Sequence, residues 1–172
     1  MEKIKTNLVG GIVSSNDSNS YSLYEKSCFG EKISGKIHYS LLETFFLMEK
    51  QKIEVLIKNK KISKEDLLKK FQKIDKKFQI KYFVFKDLRE KGYIVKTALK
   101  FGAEFRVYEK SSKPGKKHAK WIVFTDQESK KLTWHEFSAK NRVAHSTKKN
   151  LLLAILDEEG SISYYEIKWL KP

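Results

Sequence analysis

The period of the apolar positions changes along this chain, and each change marks an element. The opening LVGGIVSSNDSNSYSLYEK holds two short apolar stretches around a Gly/Ser/Asn/Asp stretch that supports no periodic structure, so it reads as a hairpin with a long turn. Ser40 then begins SLLETFFLMEK, with Glu43 three residues on. That is the reciprocal pattern that satisfies orphan N–H groups at a helix start. IEVLI follows as a strand. Ser63 and Asp66 open a second capped helix that carries Leu67, Leu68, Phe71 and Ile74 on one face at helical spacing. These elements make a small N-terminal α+β domain, residues 1–76.

FQIKYFVFKDLREKG puts Tyr82, Phe85 and Leu88 on one side and Gly92 where a left-handed C-terminal cap belongs, predicting a helix over 77–91. Strand-like runs follow at 93–95, 105–108 and 120–125, with the Pro/Gly loop 111–117 between the last two. TWHEFSAKNRVAHS has helical character. LLLAIL reads as a fully buried strand, DEEGS as a turn, and ISYYEIKWL alternates as a second strand. Helix, strands, helix and hairpin predict a mixed sheet flanked by helices over residues 80–172, and an α/β (α+β) chain overall.

Composition changes the picture in one respect. Hydrophobic residues at 40% and charged residues at 33% describe a folded chain, but 36 Lys and Arg against 21 Asp and Glu leave a net charge of +15. That surplus is spread along the sequence and points to a polyanionic partner. Cys28 is the single cysteine, so no intrachain disulfide forms and a cytoplasmic setting is expected. The start lacks the apolar stretch of a signal peptide, and LLLAIL is too short to cross a bilayer, so no membrane association is expected.

Tyr108 in FRVYEK, His118 in KKHAKWIVF and Lys149 in RVAHSTKK offer a potential base, an acid and a fixed cation. Together with YIVKTALKFGAEFRVYE and LLLAILDEEGSISYYEIKWLKP, these segments closely resemble the catalytic domain of the archaeal tRNA-splicing endonucleases, from about residue 81 to the end. The resemblance implies a restriction-endonuclease-like catalytic domain and a chemistry that needs no metal or other cofactor. In that chemistry a ribose 2′-hydroxyl attacks its own phosphodiester in line and leaves a 2′,3′-cyclic phosphate and a 5′-hydroxyl. Tyr108 would be the base, His118 the acid and Lys149 the stabiliser of charge on the pentacoordinate phosphorus. A free phenol, with a pKa of about 10, is ionised only to roughly one part in a thousand at pH 7. Lys149 and the Lys113, Lys116 and Lys117 cluster are the cations expected to favour the phenolate.

The resemblance also implies a substrate, precursor tRNA with a bulge-helix-bulge, and an assembly, a homotetramer built as a dimer of dimers. ISYYEIKWL would extend a neighbour's sheet, and an acidic loop, here 125–131 with Asp126 and Glu128, would dock into a basic groove. Arg142 matches a family arginine that stacks on a bulged base. Tyr164 fills its partner's position and reads equally as a stacking face and as an ordinary sheet residue. Lys116 and Lys117 are expected on RNA phosphates. An alternative is a non-catalytic RNA-binding or scaffold subunit of a mixed assembly, which would leave the trio idle. His38, His135 and His145 read as packing or surface groups. The Asp157…Glu166-Ile167-Lys168 pattern mimics a metal-dependent DNA nuclease, but pairing Glu166 opposite about Leu153 would keep Asp157 roughly 13 Å from it.

Overall fold

Turns with positive φ at both central residues build the N-terminal sheet. The computed structural model describes residues 3–110 and 112–170, and the chain divides into two units, residues 1–79 and 80–172. In the first unit, β1 (Ile4–Val9) and β2 (Ile12–Ser15) meet at Gly10–Gly11, with φ of +57° and +81°. After α1 (Ser18–Ser27), β3 (Glu31–Ile33) and β4 (Lys36–Tyr39) meet at Ser34–Gly35. After α2 (Leu41–Glu49), β5 (Ile53–Ile57) and β6 (Lys60–Lys61) meet at Lys58–Asn59, and α3 (Lys64–Ile74) completes the unit. Two-residue turns of this hand match the twist of the strands they join. Parallel pairing of β1 with β5 makes a mixed sheet of order β3-β4-β2-β1-β5-β6.

The expected long turn is therefore a tight one. Its Ser/Asn/Asp stretch instead starts α1, where the Asp17 side chain accepts the Asn19 N–H. Short polar side chains disfavour a helix interior but satisfy the orphan donors at its start. The two helices expected downstream carry the caps read from sequence. Ser40 and Glu43 form the reciprocal box on α2, and Ser63 accepts the Asp66 N–H on α3. Leu67 and Phe71 are fully buried, Leu68 is half-buried, and Ile74 at the end of α3 is exposed.

In the second unit α4 (Phe78–Glu90) ends as Gly92 demands. Gly92 has φ +89°, its N–H donates to Arg89 O, and the Tyr93 N–H reaches back to Leu88 O. This paired closure satisfies the last carbonyls of the helix. β7 (Ile94–Thr97) leads through a 3₁₀ turn, Leu99–Phe101, to β8 (Phe105–Tyr108) and β9 (Trp121–Gln127). α5 (Trp134–Ser146), β10 (Asn150–Leu156) and β11 (Ile162–Ile167) follow, and the sheet order is β11-β10-β9-β8-β7. Only β9 and β10 run parallel. A parallel pair needs a long crossover, and α5 supplies it.

Each face of this sheet carries one helix. On one side Phe85 of α4 packs 6.1 Å from the Phe105 ring. On the other, Ala144 of α5 joins a core of Ala98, Ala103, Ile122, Phe124 and Leu151. β10 is not fully buried as expected: Leu153 and Ile155 are half-covered. No helix among the described residues is long and apolar enough to cross a membrane.

One glycine fixes the entry to α2. Buried Glu43 accepts hydrogen bonds from Gly30 N, Ser40 N and Ser40 Oγ, each at 3.0 Å. A Cβ on Gly30 would lie 2.4 Å from Ile37 Cγ2 and 3.0 Å from the His38 carbonyl, at φ +77°. Gly30→Ala is expected to lower the stability of the fold by about 2–4 kcal/mol through clash and backbone strain. Denaturant midpoints of parent and variant check this.

Candidate active site

Strand register brings three chain segments to one end of the C-terminal sheet. Val107 pairs with Trp121, and Trp121 with Asn150, so the three strands share a row. Tyr108 lies one residue beyond that row on β8, and Lys149 one residue before it on β10, both toward the same end. Two strand spacings separate them, about 10 Å at the backbone. Alternation also gives their face. Arg106 is opposite Ile122, and Ile122 opposite Leu151, in the core beneath α5. Tyr108 and Lys149 are each two residues from a member of that set, so Arg106, Tyr108 and Lys149 share the α5 face.

α5 itself sets Lys149. The helix starts at a reciprocal cap between Thr133 and Glu136 and ends with Lys148 in the left-handed region, φ +56°. Lys148 N–H donates to His145 O, and Lys149 N–H to Ala144 O, both at 2.9 Å. Lysine thus occupies the position where glycine closes α4. β10 begins at the next residue, so helix end, Lys149 and strand are continuous. The Lys149 ammonium donates to the Thr147 carbonyl at 2.7 Å. Partial burial, and then the positive charge of Arg106, hold it below the usual lysine range.

His118 is carried by the loop between β8 and β9 and is exposed. An ion pair at 2.7 Å between Lys120 Nζ and Glu109 Oε1 closes the base of that loop. The Lys120 N–H donates to Val107 O, the residue opposite Trp121, so the ladder slips by one there. Such a slip re-aims a side chain. Here the Lys120 ammonium lies 4.7 Å from the centre of the Trp121 ring, while its carbonyl accepts the Asn150 N–H. His118 is two residues from this junction. Exposed Lys116 and Lys117 sit in the loop's turn, each donating its N–H to Lys113 O.

The two expected stacking residues are not together within one chain. Arg142 is exposed on α5. Tyr164 pairs with Ala154 and turns to α4, where its hydroxyl donates to Asp87 Oδ2 at 2.6 Å and the Lys91 ammonium lies 5.0 Å from its ring centre. Burial, followed by the Asp87 hydrogen bond, pushes the Tyr164 hydroxyl well above the usual phenol range. The expected acidic loop is shorter than 125–131: β9 runs through Gln127, and Asp126 within it is paired with Lys130 at 2.8 Å. Glu166 faces Leu152, one residue from the expected register, which sets Asp157 five residues or roughly 17 Å along β10. Glu166 Oε1 accepts from Trp121 Nε1 and Asn150 Nδ2, and Asp157 accepts the Ser161 N–H in the β10–β11 turn.

Arg106, Lys120 and the His145–Trp169 ring pair were not singled out from the sequence, and Glu166 was read there only as part of a nuclease-like pattern. Arg106 was within reach, since strand period two puts it on the face of Tyr108. The others depend on register or on contacts between distant segments.

Among the described residues, two mixed sheets and five α-helices define an α+β protein of two units. Comparison with known proteins carries this to a family. A family model described as the catalytic C-terminal domain of tRNA intron endonucleases matches residues 78–164, and the corresponding N-terminal domain matches residues 4–68. Proteins named tRNA-splicing endonuclease are similar along most of their length. That of Thermococcus onnurineus is 43% identical over 87% of this chain and 85% of its own. That of Thermococcus kodakarensis is 41% identical over 95% of this chain and 96% of its own, and that of Nanoarchaeum equitans 43% over 77% and 88%. The chain belongs to the tRNA intron endonuclease family.

The crowding of two cations is directly measurable. The Lys149 ε-amine, followed by NMR on selectively labelled protein, is expected to lose its proton at lower pH than an ordinary exposed lysine. Arg106→Gln removes one of the two effects that disfavour the ammonium, so it should move that midpoint upward. An unchanged midpoint would separate the two side chains.

Proposed function

We propose that this protein is a tRNA-splicing endonuclease that cuts precursor tRNA at intron boundaries by general acid–base transphosphorylation. The observation that carries the reading is the convergence of the β8 end, the loop before β9 and the β10 start at one end of the sheet. Those segments carry Tyr108, His118 and Lys149, which supports the reading.

In the proposed reaction Tyr108 takes the proton of the ribose 2′-hydroxyl, whose oxygen forms a bond to its own phosphorus. As the bond from phosphorus to the 5′ oxygen breaks, His118 gives that oxygen a proton. Lys149 offsets the negative charge on the nonbridging oxygens while five groups surround phosphorus. The products are a 2′,3′-cyclic phosphate and a 5′-hydroxyl. The sugar's own oxygen is the nucleophile and each proton has a protein donor or acceptor, so this route calls on no metal ion.

Substrate and assembly follow as parts of the same proposal. Bulge-helix-bulge RNA presents unpaired bases that can be splayed out and stacked, and exposed Arg142 is suited to stack on one. Lys116 and Lys117, exposed on the loop beside His118, suit phosphate contacts. A homotetramer is supported by β11, an edge strand with Tyr165 57% exposed, which could pair with a second copy.

The test uses the purified chain, EDTA and a bulged precursor RNA. Cleavage is expected, and a single 2′-deoxy sugar at the scissile position should abolish it. Tyr108→Phe should slow single-turnover cleavage by roughly a hundredfold or more, the scale of one general base, with little change in RNA affinity. Near-normal rates in that variant would remove Tyr108 from the mechanism, and activity lost in EDTA would favour a metal-dependent reaction. Arg142→Ala should impair cleavage of bulged RNA more than binding of bulk RNA, whereas equal losses would contradict stacking.

A further inference from the structure

In the N-terminal unit an open concavity of about 510 Å³ lies between α1 and the turn that joins α2 to β5. Lys26, Lys50 and Lys52 contribute to its wall, Asn19, Ser22 and Gln51 belong to its polar remainder, and among the described residues that line it none is acidic. All three lysines are exposed. Two flanking carboxylates are engaged elsewhere: Glu49, next to Lys50, lies 3.7 Å from Lys64, and Glu54, two residues past Lys52, lies 3.3 Å from Lys61. Glu25 precedes Lys26 but is not part of the wall.

The backbone gathers these lysines. At the end of α2 the Gln51 N–H donates to Met48 O and the Lys52 N–H to Leu47 O, with Gln51 in the left-handed region at φ +56°. This is the paired closure usually made with glycine, and it leaves Lys50 and Lys52 on either side of the reversal. The Lys52 carbonyl then accepts the Ile4 N–H at 3.0 Å, which ties the turn to the start of β1. Lys26 stands in the last turn of α1. Two helix C-terminal ends favour cations here, and their dipoles together amount to roughly one negative charge against three ammonium groups. The balance still attracts an anion. An acidic protein segment would need apolar anchors as well, and the apolar part of this wall offers only buried Ile4 and half-buried Leu23.

We propose that this concavity is a phosphate-binding site of the N-terminal unit, taking the sugar-phosphate backbone of the RNA through Lys26, Lys50 and Lys52. It rests on the endonuclease reading above and gives the N-terminal unit a part in holding the substrate. Lysine contacts to phosphate carry no base information, so the site adds affinity without choosing sequence.

The experiment uses the full chain and a bulged precursor RNA made uncleavable by a 2′-deoxy scissile sugar. In the parent, RNA should shield Lys26, Lys50 and Lys52 from acetylation, read by mass spectrometry, more than it shields Lys58 and Lys60. The triple variant Lys26→Gln, Lys50→Gln, Lys52→Gln should lower the slope of log affinity against log salt by about 2, the scale of two to three lost phosphate contacts. The corresponding triple Lys→Arg variant should keep the parental slope. A control triple of exposed lysines, Lys58→Gln, Lys60→Gln, Lys69→Gln, should change it much less. Three results would each overturn the site: no shielding of the three lysines, a parental slope in the first triple, or equal losses in the control. Equal shielding by inorganic phosphate alone at constant ionic strength would assign the concavity to a small free anion and overturn the RNA assignment. Shielding is read on the parent, so it decides even if a variant folds poorly. Cleavage of the all-ribose RNA by the parent is scored separately. If the parent cuts while shielding and slope fail, only this site falls, whereas an inactive parent counts against the endonuclease reading and leaves the shielding result to decide the site.

Discussion

The register of β9 against its two neighbours is the constraint on which the rest of this molecule depends. Val107, Trp121 and Asn150 form one row across three strands, antiparallel on one side and parallel on the other. Because side chains alternate, a one-residue slip of β10 would send Lys149 to the α4 face, away from Arg106 and Tyr108. Two features guard against that slip. Glu166 on β11 grips Trp121 and Asn150 through one carboxylate oxygen, linking three strands at the row itself. Lys120, just before the row, accepts from Asn150 with its carbonyl and donates to Val107 with its N–H.

Charge is distributed unevenly around this frame. Glu109 is held by Lys120 and Asp126 by Lys130, each in a close ion pair. Lys148, Lys149 and Lys168 line one concavity, with Arg106 close enough to Lys149 to disfavour its ammonium. Concentrating like charge costs stability in the free protein, and functional sites are where folds retain such costs. The net charge of +15 is therefore informative less as a total than through where its carboxylates are absent.

What could be read in the sequence was mostly local. The caps on α2 and α3 and the Gly92 end of α4 were legible because each needs only a few adjacent residues. The order of strands and helices in the second unit followed from period alone. α1 was missed because its first turn is made of residues that usually interrupt helices, with Asp17 turning that tendency into a cap. Glu166 was misjudged by one residue, since turn length does not fix register. Tyr164 was legible as a sheet residue, but its engagement with Asp87, 77 positions away, was not. His145 was read as a packing or surface group and is exposed, but its ring partner Trp169 comes from a distant segment that the sequence does not link to it.

The junction of α5 with β10 contains no spare chain. Lys148 closes the helix, Lys149 makes the last backward hydrogen bond, and Asn150 is already in the sheet. The loop before β9 is the opposite case, twelve residues from Glu109 to Lys120 drawn together by the ion pair at its base. Insertions and deletions during divergence can be absorbed ahead of His118 without moving the strands. Ahead of Lys149 a single added residue would turn the ammonium about 100° around the helix axis, so the geometry of this stretch leaves no room for a change of length.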